Sequence, residues 1–339
     1  MSTLLTSPLQ PQFINVVSST AAAQATSEQV NSSIRQELND SLLKPAASLS
    51  PKFFYDALGS KLFEAITLTD EYYPTRTEAS IFDAHKTDIA NAVAASGVQN
   101  ACLIDLGAGN CAKAAAFIPY LKPQQYVPID ISVDFMRAAA SQVQVSFPAL
   151  RVVGVGMDFS STLALPSAVQ NHDRVFFYPG SSLGNFSPPD ALRFLQQIAI
   201  PAQGNASGLL LGIDLIKSSA VLEAAYDDAA GVTAAFNKNV LLNVNAQLGA
   251  DFDLRQWRHV ALFNQQASRI EMHLEATTPT TVRWPGHDRA FKTGERIHTE
   301  NSYKYSAADM TALLKQAGFG QVQHWTDAQS WFGVFWASK

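Results

Sequence analysis

Cysteine is scarce in this sequence, since the 339 residues contain only Cys102 and Cys111. Two cysteines exclude a disulfide framework and a cysteine-based metal cluster, and they fit a reducing cytoplasm. No apolar run approaches the roughly 18 residues that a membrane-spanning helix needs. The first residues also lack the basic and then apolar segments of a signal peptide. We therefore expect a cytoplasmic protein with no membrane partner.

Positive charge is also limited, because 24 lysines and arginines stand against 29 aspartates and glutamates. A net charge of −5 lacks the broad basic footprint of a nucleic-acid-binding protein, so we expect no nucleic-acid partner. The histidines form no ligand pair, and Asp227 and Asp228 have no partner at metal-ligand spacing, so we predict no metal. Hydrophobic residues are abundant, at 47% of the chain, and this suits a globular protein with a well-filled core.

Apolar runs and helical stretches alternate through the middle of the chain. Parallel strands buried on both faces are predicted for the apolar runs at 102–106, 126–130, 151–155, 174–178 and 208–214. This alternation predicts a doubly wound α/β sheet. Near the end of the sequence, a predicted helix over 307–317 and two predicted strands, near 322–325 and 331–337, return to the same pattern.

A second, α+β lobe is predicted where this alternation stops. Residues 220–248 have a helical pattern broken near Gly231, and 268–277 alternate like a half-buried antiparallel strand. We expect a loosely ordered lead over 1–30, a second lobe from 31–75 and 216–303, and a sheet domain from 76–215 and 304–339. Ligand sites favour the interface between two such parts.

The first buried run ends in a glycine loop, Gly107-Ala108-Gly109. Glycine lets the backbone approach a ligand closely, but Ala112 stands where a dinucleotide fingerprint has its third glycine. Asp130 ends the next run and is placed to accept hydrogen bonds from ribose hydroxyls, and Asp158-Phe159 follow with a carboxylate for an exocyclic amine and a ring to stack on a base. Together these residues favour S-adenosylmethionine over NAD. The alternative is that both aspartates are turn or cap residues.

Two further places carry polar side chains that could recognise a substrate. Asn185 lies in the loop after the fourth run, which is expected to face the transferred methyl group, although it is as easily a turn residue. If residues 300–302 are extended, Glu300 and Ser302 point to one face about 7 Å apart. A carboxylate and a hydroxyl at that distance suit the N–H and the acceptor nitrogen of a neutral imidazole. Without further context, two solvent-facing side chains are the favoured interpretation.

Several longer strings of residues resemble the histidine-specific, S-adenosylmethionine-dependent methyltransferases of ergothioneine biosynthesis. They are 51–56 (PKFFYD), 71–78 (EYYPTRTE), Gly184-Asn185, 225–237 (AYDDAAGVTAAFN) and 299–304 (TENSYK). The resemblance extends from about residue 30 to the end and departs from the family mainly over the glycine loop, 108–112. It implies a class I methyltransferase fold with an added substrate-binding lobe, and three methyl transfers to the α-amine of L-histidine, giving hercynine.

The resemblance also implies roles for individual residues. It implies that S-adenosylmethionine is bound by Tyr55, Gly107, Lys113, Asp130, Asp158 and Phe159. It implies that histidine is bound by Tyr72, Gly180, Asn185, Tyr226, Glu300 and Ser302. Met272 is expected to line the same pocket. Tyr72, Asn185 and Tyr226 are the candidate catalytic residues, because their oxygens would orient the amine. We expect a monomer that needs no metal. The alternatives are methylation of tryptophan, of a prenylated tryptophan or of nucleic acid, and a non-catalytic binding protein.

Overall fold

The computed structural model of the protein describes residues 9–16, 27–160, 162–200 and 206–339. In chain order, the helices of these residues are α1 Ser27–Leu43, α2 Ala57–Ile66, α3 Tyr73–Ala95, α4 Ala112–Leu121, α5 Val133–Ser146, α6 Pro188–Ala199, α7 Ser219–Tyr226, α8 Val232–Leu248 and α9 Ala307–Ala317. The strands are β1 Gln12–Asn15, β2 Cys102–Leu106, β3 Gln125–Asp130, β4 Arg151–Gly156, β5 Arg174–Tyr178, β6 Ser207–Asp214, β7 Trp257–Asn264, β8 Arg269–Ala276, β9 Thr280–Trp284, β10 His287–Phe291, β11 Arg296–Tyr303, β12 Gln321–Thr326 and β13 Phe332–Ser338.

A large mixed sheet organises the fold, in the order β1-β4-β3-β2-β5-β6-β13-β12. Strands β1 to β6 of this sheet are parallel, and β13 is antiparallel to both β6 and β12. The strands β2 to β6 coincide with the five predicted apolar runs, so the doubly wound α/β prediction is confirmed. The order reverses between β2 and β5, and open α/β sheets bind their ligands in the crevice outside the strand ends at such a point.

The predicted lead of residues 1–30 contains a strand that the sequence interpretation missed. Strand β1 adds to the edge of the sheet, where Phe13 pairs with Gly154 of β4. Helix α1 also begins inside the predicted lead, at Ser27. A pattern of four residues is too short to predict a strand from the sequence. The strand forms because β4, far along the chain, supplies its pairing partner. The rest of the lead, 1–8 and 17–26, lies outside the described residues.

Helix α3 begins earlier than the sequence suggested. The sequence of 70–78, with Pro74 in it, predicts a turn with Thr75 or Thr77 as the cap of the next helix, but the helix starts at Tyr73, with Pro74 in its first turn. Proline is tolerated there because the first turn leaves its N–H groups without a partner inside the helix. The early start places Glu78 within the helix, where it is almost completely buried.

The remaining elements form a second sheet with helices packed against it. Its strands are antiparallel in the order β11-β8-β7, and β9 and β10 make a separate hairpin. Helices α7 and α8 are separated at Gly231, whose φ of 73° is the left-handed conformation that favours glycine. Residues from α1, α2, α7, α8 and this sheet share one apolar cluster, distinct from the two clusters that involve the large sheet. The division into two domains remains a proposal.

Candidate active site

A cleft of about 600 Å³, including its open mouth, lies where the two sheets approach each other. Helices α3, α7 and α8, strands β8 and β11, the end of β6 and the loop after β5 all contribute to its wall. The sequence-predicted residues in that wall are Tyr55, Tyr72, Gly180, Asn185, Tyr226, Met272, Glu300 and Ser302. The fold therefore brings together every residue that we assigned to histidine, together with Tyr55 from the cofactor set.

Aromatic rings form one side of the cleft. The ring of Tyr72 lies 6.4 Å from Tyr226 and 6.2 Å from Phe63, and Tyr55 lies 5.8 Å from Phe236. Burial raises the pKa of Tyr55, Tyr72 and Tyr226, so these phenols stay neutral at physiological pH. Phe63 and Phe236 were not predicted as site residues, because their spacing in the sequence is that of ordinary core positions.

Glu300 and Ser302 lie on β11, opposite Met272 and Ile270 of β8. Both side chains are buried and both line the cleft, so the period of two along the strand places them on one face, as the sequence suggested. Burial raises the pKa of Glu300 to about 7, although Lys304 opposes this shift. The cleft therefore presents a carboxylate and a hydroxyl side by side in a poorly solvated wall.

A buried ion pair that the sequence analysis missed lies behind Ser302. The Nζ atom of Lys304 is 2.8 Å from a carboxylate oxygen of Asp214, and it also donates to Tyr226 and Ser302. The pKa of Asp214 is lowered, because Lys304 and Lys217 more than offset its burial. Two signals were available in the sequence: Lys304 shares the alternating face of Glu300 and Ser302, and Asp214 ends β6 as Asp130 ends β3.

The glycine loop meets Asp130 at the ends of β2 and β3. Gly107 has a φ of 71°, and the carboxylate of Asp130 accepts the N–H groups of Gly109 and Ser132 at 2.9 and 2.8 Å. The Ser132 hydroxyl donates to the Tyr55 carbonyl at 3.0 Å, which links this region to the segment before α2. Three of the predicted cofactor residues, Tyr55, Gly107 and Asp130, are thus neighbours.

Asp158 and Phe159 follow β4 on the other side of the glycine loop. A side chain added at Gly107 would meet the Phe159 ring at 3.9 Å, so this ring borders the loop. The Asp158 carboxylate accepts the N–H of Ser160 at 3.0 Å. This contact is typical of a turn residue, which was the alternative interpretation of Asp158. This contact leaves the other carboxylate oxygen of Asp158 available to a ligand.

Lys113 connects the predicted cofactor side to the predicted substrate side through Glu78. The Glu78 carboxylate accepts from the Lys113 Nζ atom at 2.5 Å and from the Gly180 N–H at 2.7 Å. Glu78 was not predicted as a site residue, although it ends the string 71–78 that resembles the family, because its pairing with Lys113 and Gly180 is made only by the fold. The buried Glu78 carboxylate thus joins the start of helix α4 to the loop after β5.

Comparison with known proteins decides which family has this arrangement. The family model described as "Histidine-specific methyltransferase, SAM-dependent" matches residues 34–339. The chain belongs to this family. A histidine N-alpha-methyltransferase of Mycolicibacterium smegmatis is 39% identical over 307 residues, which are 89% of this chain and 93% of the relative. One of Mycobacterium tuberculosis is 37% identical over 312 residues, 90% of this chain and 95% of the relative.

A more distant relative has another substrate in its name. The 4-dimethylallyltryptophan N-methyltransferase of Claviceps purpurea is 25% identical and covers 89% of this chain and 93% of the relative. The methyltransferase described here uses S-adenosylmethionine. Its described residues contain no group of three or more histidine, cysteine, aspartate or glutamate side chains that could hold a metal ion. None of its described helices is long and apolar enough to cross a membrane.

Proposed function

We propose that this methyltransferase transfers three methyl groups in succession to the α-amine of L-histidine. The product is hercynine, and the reaction is the first step of ergothioneine biosynthesis. The observation that carries the proposal is the buried pair of Glu300 and Ser302 in the wall of one cleft. The imidazole N–H donates to the Glu300 carboxylate, and the Ser302 hydroxyl serves the other ring nitrogen.

The amino-acid end of histidine lies toward Tyr72, Gly180, Asn185 and Tyr226 in this proposal. The attacking amine must be neutral, and in the first two transfers the amide oxygen of Asn185 accepts an N–H so that the lone pair is oriented toward the methyl group. Because burial raises the pKa of Tyr72 and Tyr226, these phenols orient the amine as neutral hydrogen-bonding groups. Most of the acceleration then comes from positioning two reactants, and the released protons leave through water.

S-Adenosylmethionine supplies a methyl group activated by its sulfonium centre. The residues around the glycine loop fit this molecule: Asp130 accepts from the ribose, Phe159 stacks on the base and Lys113 pairs with the carboxylate of the methionine part. Tyr55, Gly107 and Asp158 complete the proposed cofactor set. Support comes from the position of Lys113, which Glu78 holds beside Gly180, where the two reactants would meet.

The aromatic side of the cleft suits the product. Each transfer enlarges the amine, and the third leaves a quaternary ammonium that cannot donate a hydrogen bond. The rings of Tyr55, Phe63, Tyr72 and Phe236 can surround such a cation and stabilise it through their electron-rich faces. A cleft lined only by hydrogen-bond acceptors would lose its contacts to the amine already before the last transfer, because a neutral tertiary amine has no N–H.

Methylation of tryptophan or a prenylated tryptophan is the second candidate, favoured by the relative of Claviceps purpurea. An indole has one N–H and no acceptor nitrogen, so it would leave the O–H donor of the buried Ser302 without an acceptor on the ring. An unpaired buried donor costs about 1–3 kcal/mol, and this favours histidine. We also propose, from the sequence alone, that the enzyme is monomeric and cytoplasmic.

Turnover with each amino acid in turn tests the proposal. The purified protein is incubated with S-adenosylmethionine and one amino acid, and the products are measured by mass spectrometry. We expect histidine to gain the mass of three methylene units and tryptophan to stay unchanged. Methylation of tryptophan but not histidine would support the second candidate, and tight binding of histidine without any turnover would indicate a non-catalytic protein.

A further inference from the structure

Lys304 is a buried lysine whose hydrogen bonds are completely used inside the protein. Its side chain is 0% exposed. Its three N–H groups meet a carboxylate oxygen of Asp214 at 2.8 Å, the Tyr226 hydroxyl at 3.0 Å and the Ser302 hydroxyl at 2.9 Å. An ammonium group has three donors and no acceptor, so Lys304 has none left for a ligand. Its hydrogen bonds therefore reach a substrate only through Tyr226 or Ser302, while its charge also opposes the rise of the Glu300 pKa.

The hydrogen bonds around Ser302 determine which way its proton points. A hydroxyl group has one donor and two acceptor positions. The Ser302 oxygen accepts from Lys304 at 2.9 Å. The Tyr226 hydroxyl lies 2.7 Å away, and because a phenol is a stronger acid than an aliphatic alcohol we assign it as the donor, so both acceptor positions of Ser302 are occupied. Its own O–H is the one capacity that remains, and Ser302 lines the cleft. The Ser302 hydroxyl therefore offers a ligand a donor and no acceptor.

We propose that Lys304 is a positioning residue that makes Ser302 an obligatory hydrogen-bond donor to the substrate ring. With the Glu300 carboxylate as the acceptor, the cleft then selects a ring that carries one N–H and one acceptor nitrogen, which is a neutral imidazole. The inference rests on the proposed function, because it takes histidine as the ligand. To the proposed function it adds that Lys304 determines which hydrogen-bonding pattern of the substrate ring the pocket accepts.

The charge of Lys304 is maintained by Asp214. Burial alone would lower the pKa of Lys304, but Asp214 and Tyr226 outweigh that effect and raise it, so the ammonium form persists. Asp214 also pairs with Lys217 at 2.5 Å and accepts from the Tyr73 hydroxyl at 2.7 Å. Lys217 donates to Asp214, Tyr73 and the Leu215 carbonyl, and makes no bond to Tyr226 or Ser302 among the described contacts. A substitution of Lys217 therefore removes an ion pair with Asp214 and keeps the hydrogen bonds of Lys304 to Tyr226 and Ser302, which makes it a matched control.

The first test needs only the unaltered enzyme and two histidine analogues. In 3-(pyrrol-2-yl)alanine and 3-(pyrrol-3-yl)alanine the ring keeps an N–H, at one or the other of the two nitrogen positions, and has no acceptor nitrogen. Either ring would leave the Ser302 proton unpaired, so we expect kcat/KM about 100-fold below that for histidine or lower. Turnover of either analogue within about threefold of histidine would overturn the inference.

The second test compares Lys304→Met with Lys217→Met. Methionine is unbranched and fills most of the lysine volume without donating a hydrogen bond. In Lys304→Met the Ser302 hydroxyl is free to turn, so we expect the preference for histidine over the pyrrole analogues to fall at least about tenfold. In Lys217→Met this preference should stay unchanged. Calorimetric binding of S-adenosylmethionine identifies any variant that has lost its fold.

A double-mutant cycle separates a positioning role from a structural one. If Lys304 acts through Ser302, then Ser302→Ala removes the preference and adding Lys304→Met lowers it no further. If Lys304 only supports the fold, Lys304→Met lowers kcat/KM for histidine and for the analogues by one common factor, and the inference is wrong. An unaltered enzyme without any turnover of histidine would instead overturn the proposed function on which the inference rests.

Discussion

Glu300 holds a proton in the folded protein over a pH range in which the unfolded chain has lost it. Burial raises its pKa from the ordinary value of 4.5 to about 7. Because the folded state binds this proton more tightly, the associated stability is present at low pH and is lost as the pH rises from about 4.5 to about 7. The residue that we propose to bind the ring thus makes the protein without a ligand less stable at neutral pH.

The variant Glu300→Gln keeps the shape of the side chain and removes its titration. We expect the free energy of unfolding of this variant, relative to the unaltered protein, to increase by up to about 3 kcal/mol between pH 5 and pH 8. Urea unfolding at both pH values measures it. Burial also raises the pKa of Asp105 to about 7, but this group is present in both proteins and its effect cancels. Identical pH dependence in the two proteins would contradict the account.

Glu78 offers a second test at the residue scale. The variant Glu78→Gln loses the charge that holds Lys113 at 2.5 Å, so we expect S-adenosylmethionine to bind about tenfold more weakly. Titration calorimetry measures the affinity. The control is Asp83→Asn on the same helix, which removes an exposed pair with Lys86 and should change the affinity little. Equal losses in both variants would exclude a specific role for Glu78.

At the scale of the element, helix α8 depends on an aspartate that precedes it. The Asp228 carboxylate accepts the N–H groups of Val232 and Thr233 at 2.9 and 2.7 Å. We expect Asp228→Ala to lower the free energy of unfolding by about 1–2 kcal/mol, because these first-turn donors lose their partner. Asp227→Ala is the control, since that side chain is 63% exposed, and it should change stability by less than about 0.5 kcal/mol. Chemical denaturation compares the two.

The elements also explain how far the sequence could predict the structure. Strands β2 to β6 were predictable because each is an apolar run buried on both faces. The common face of Glu300 and Ser302 was predictable from the period of a strand. Strand β1 was not, because its existence depends on pairing with β4, more than a hundred residues later in the chain.

The same limit applies to the polar contacts of the site. Asp214 and Lys304 are far apart in the sequence, and they meet only because β6 of the large sheet approaches β11 of the second sheet. Glu78 and Lys113 lie on two different helices and pair beside the loop after β5. Local sequence patterns describe what each element buries on its own, and they carry no information about which charged groups two distant elements bring together.

In the whole molecule, we expect the proposed histidine site and the proposed S-adenosylmethionine site to be separable. A ligand at 100 times its Kd stabilises the folded state by about 2.7 kcal/mol. We expect histidine and S-adenosylhomocysteine each to raise the melting temperature of the unaltered enzyme. Glu300→Ala should lose the increment from histidine and keep that from S-adenosylhomocysteine. Loss of both increments would place Glu300 outside the substrate part of the cleft.

We propose that the histidine ring lies between Glu300 and Ser302, with its amine toward Asn185. A crystal structure with histidine and S-adenosylhomocysteine bound tests it most directly. We predict one ring nitrogen within about 3 Å of the Glu300 carboxylate and the other within about 3 Å of the Ser302 hydroxyl. Histidine bound in the reverse direction, with its carboxylate or amine against Glu300 and Ser302, would contradict the account.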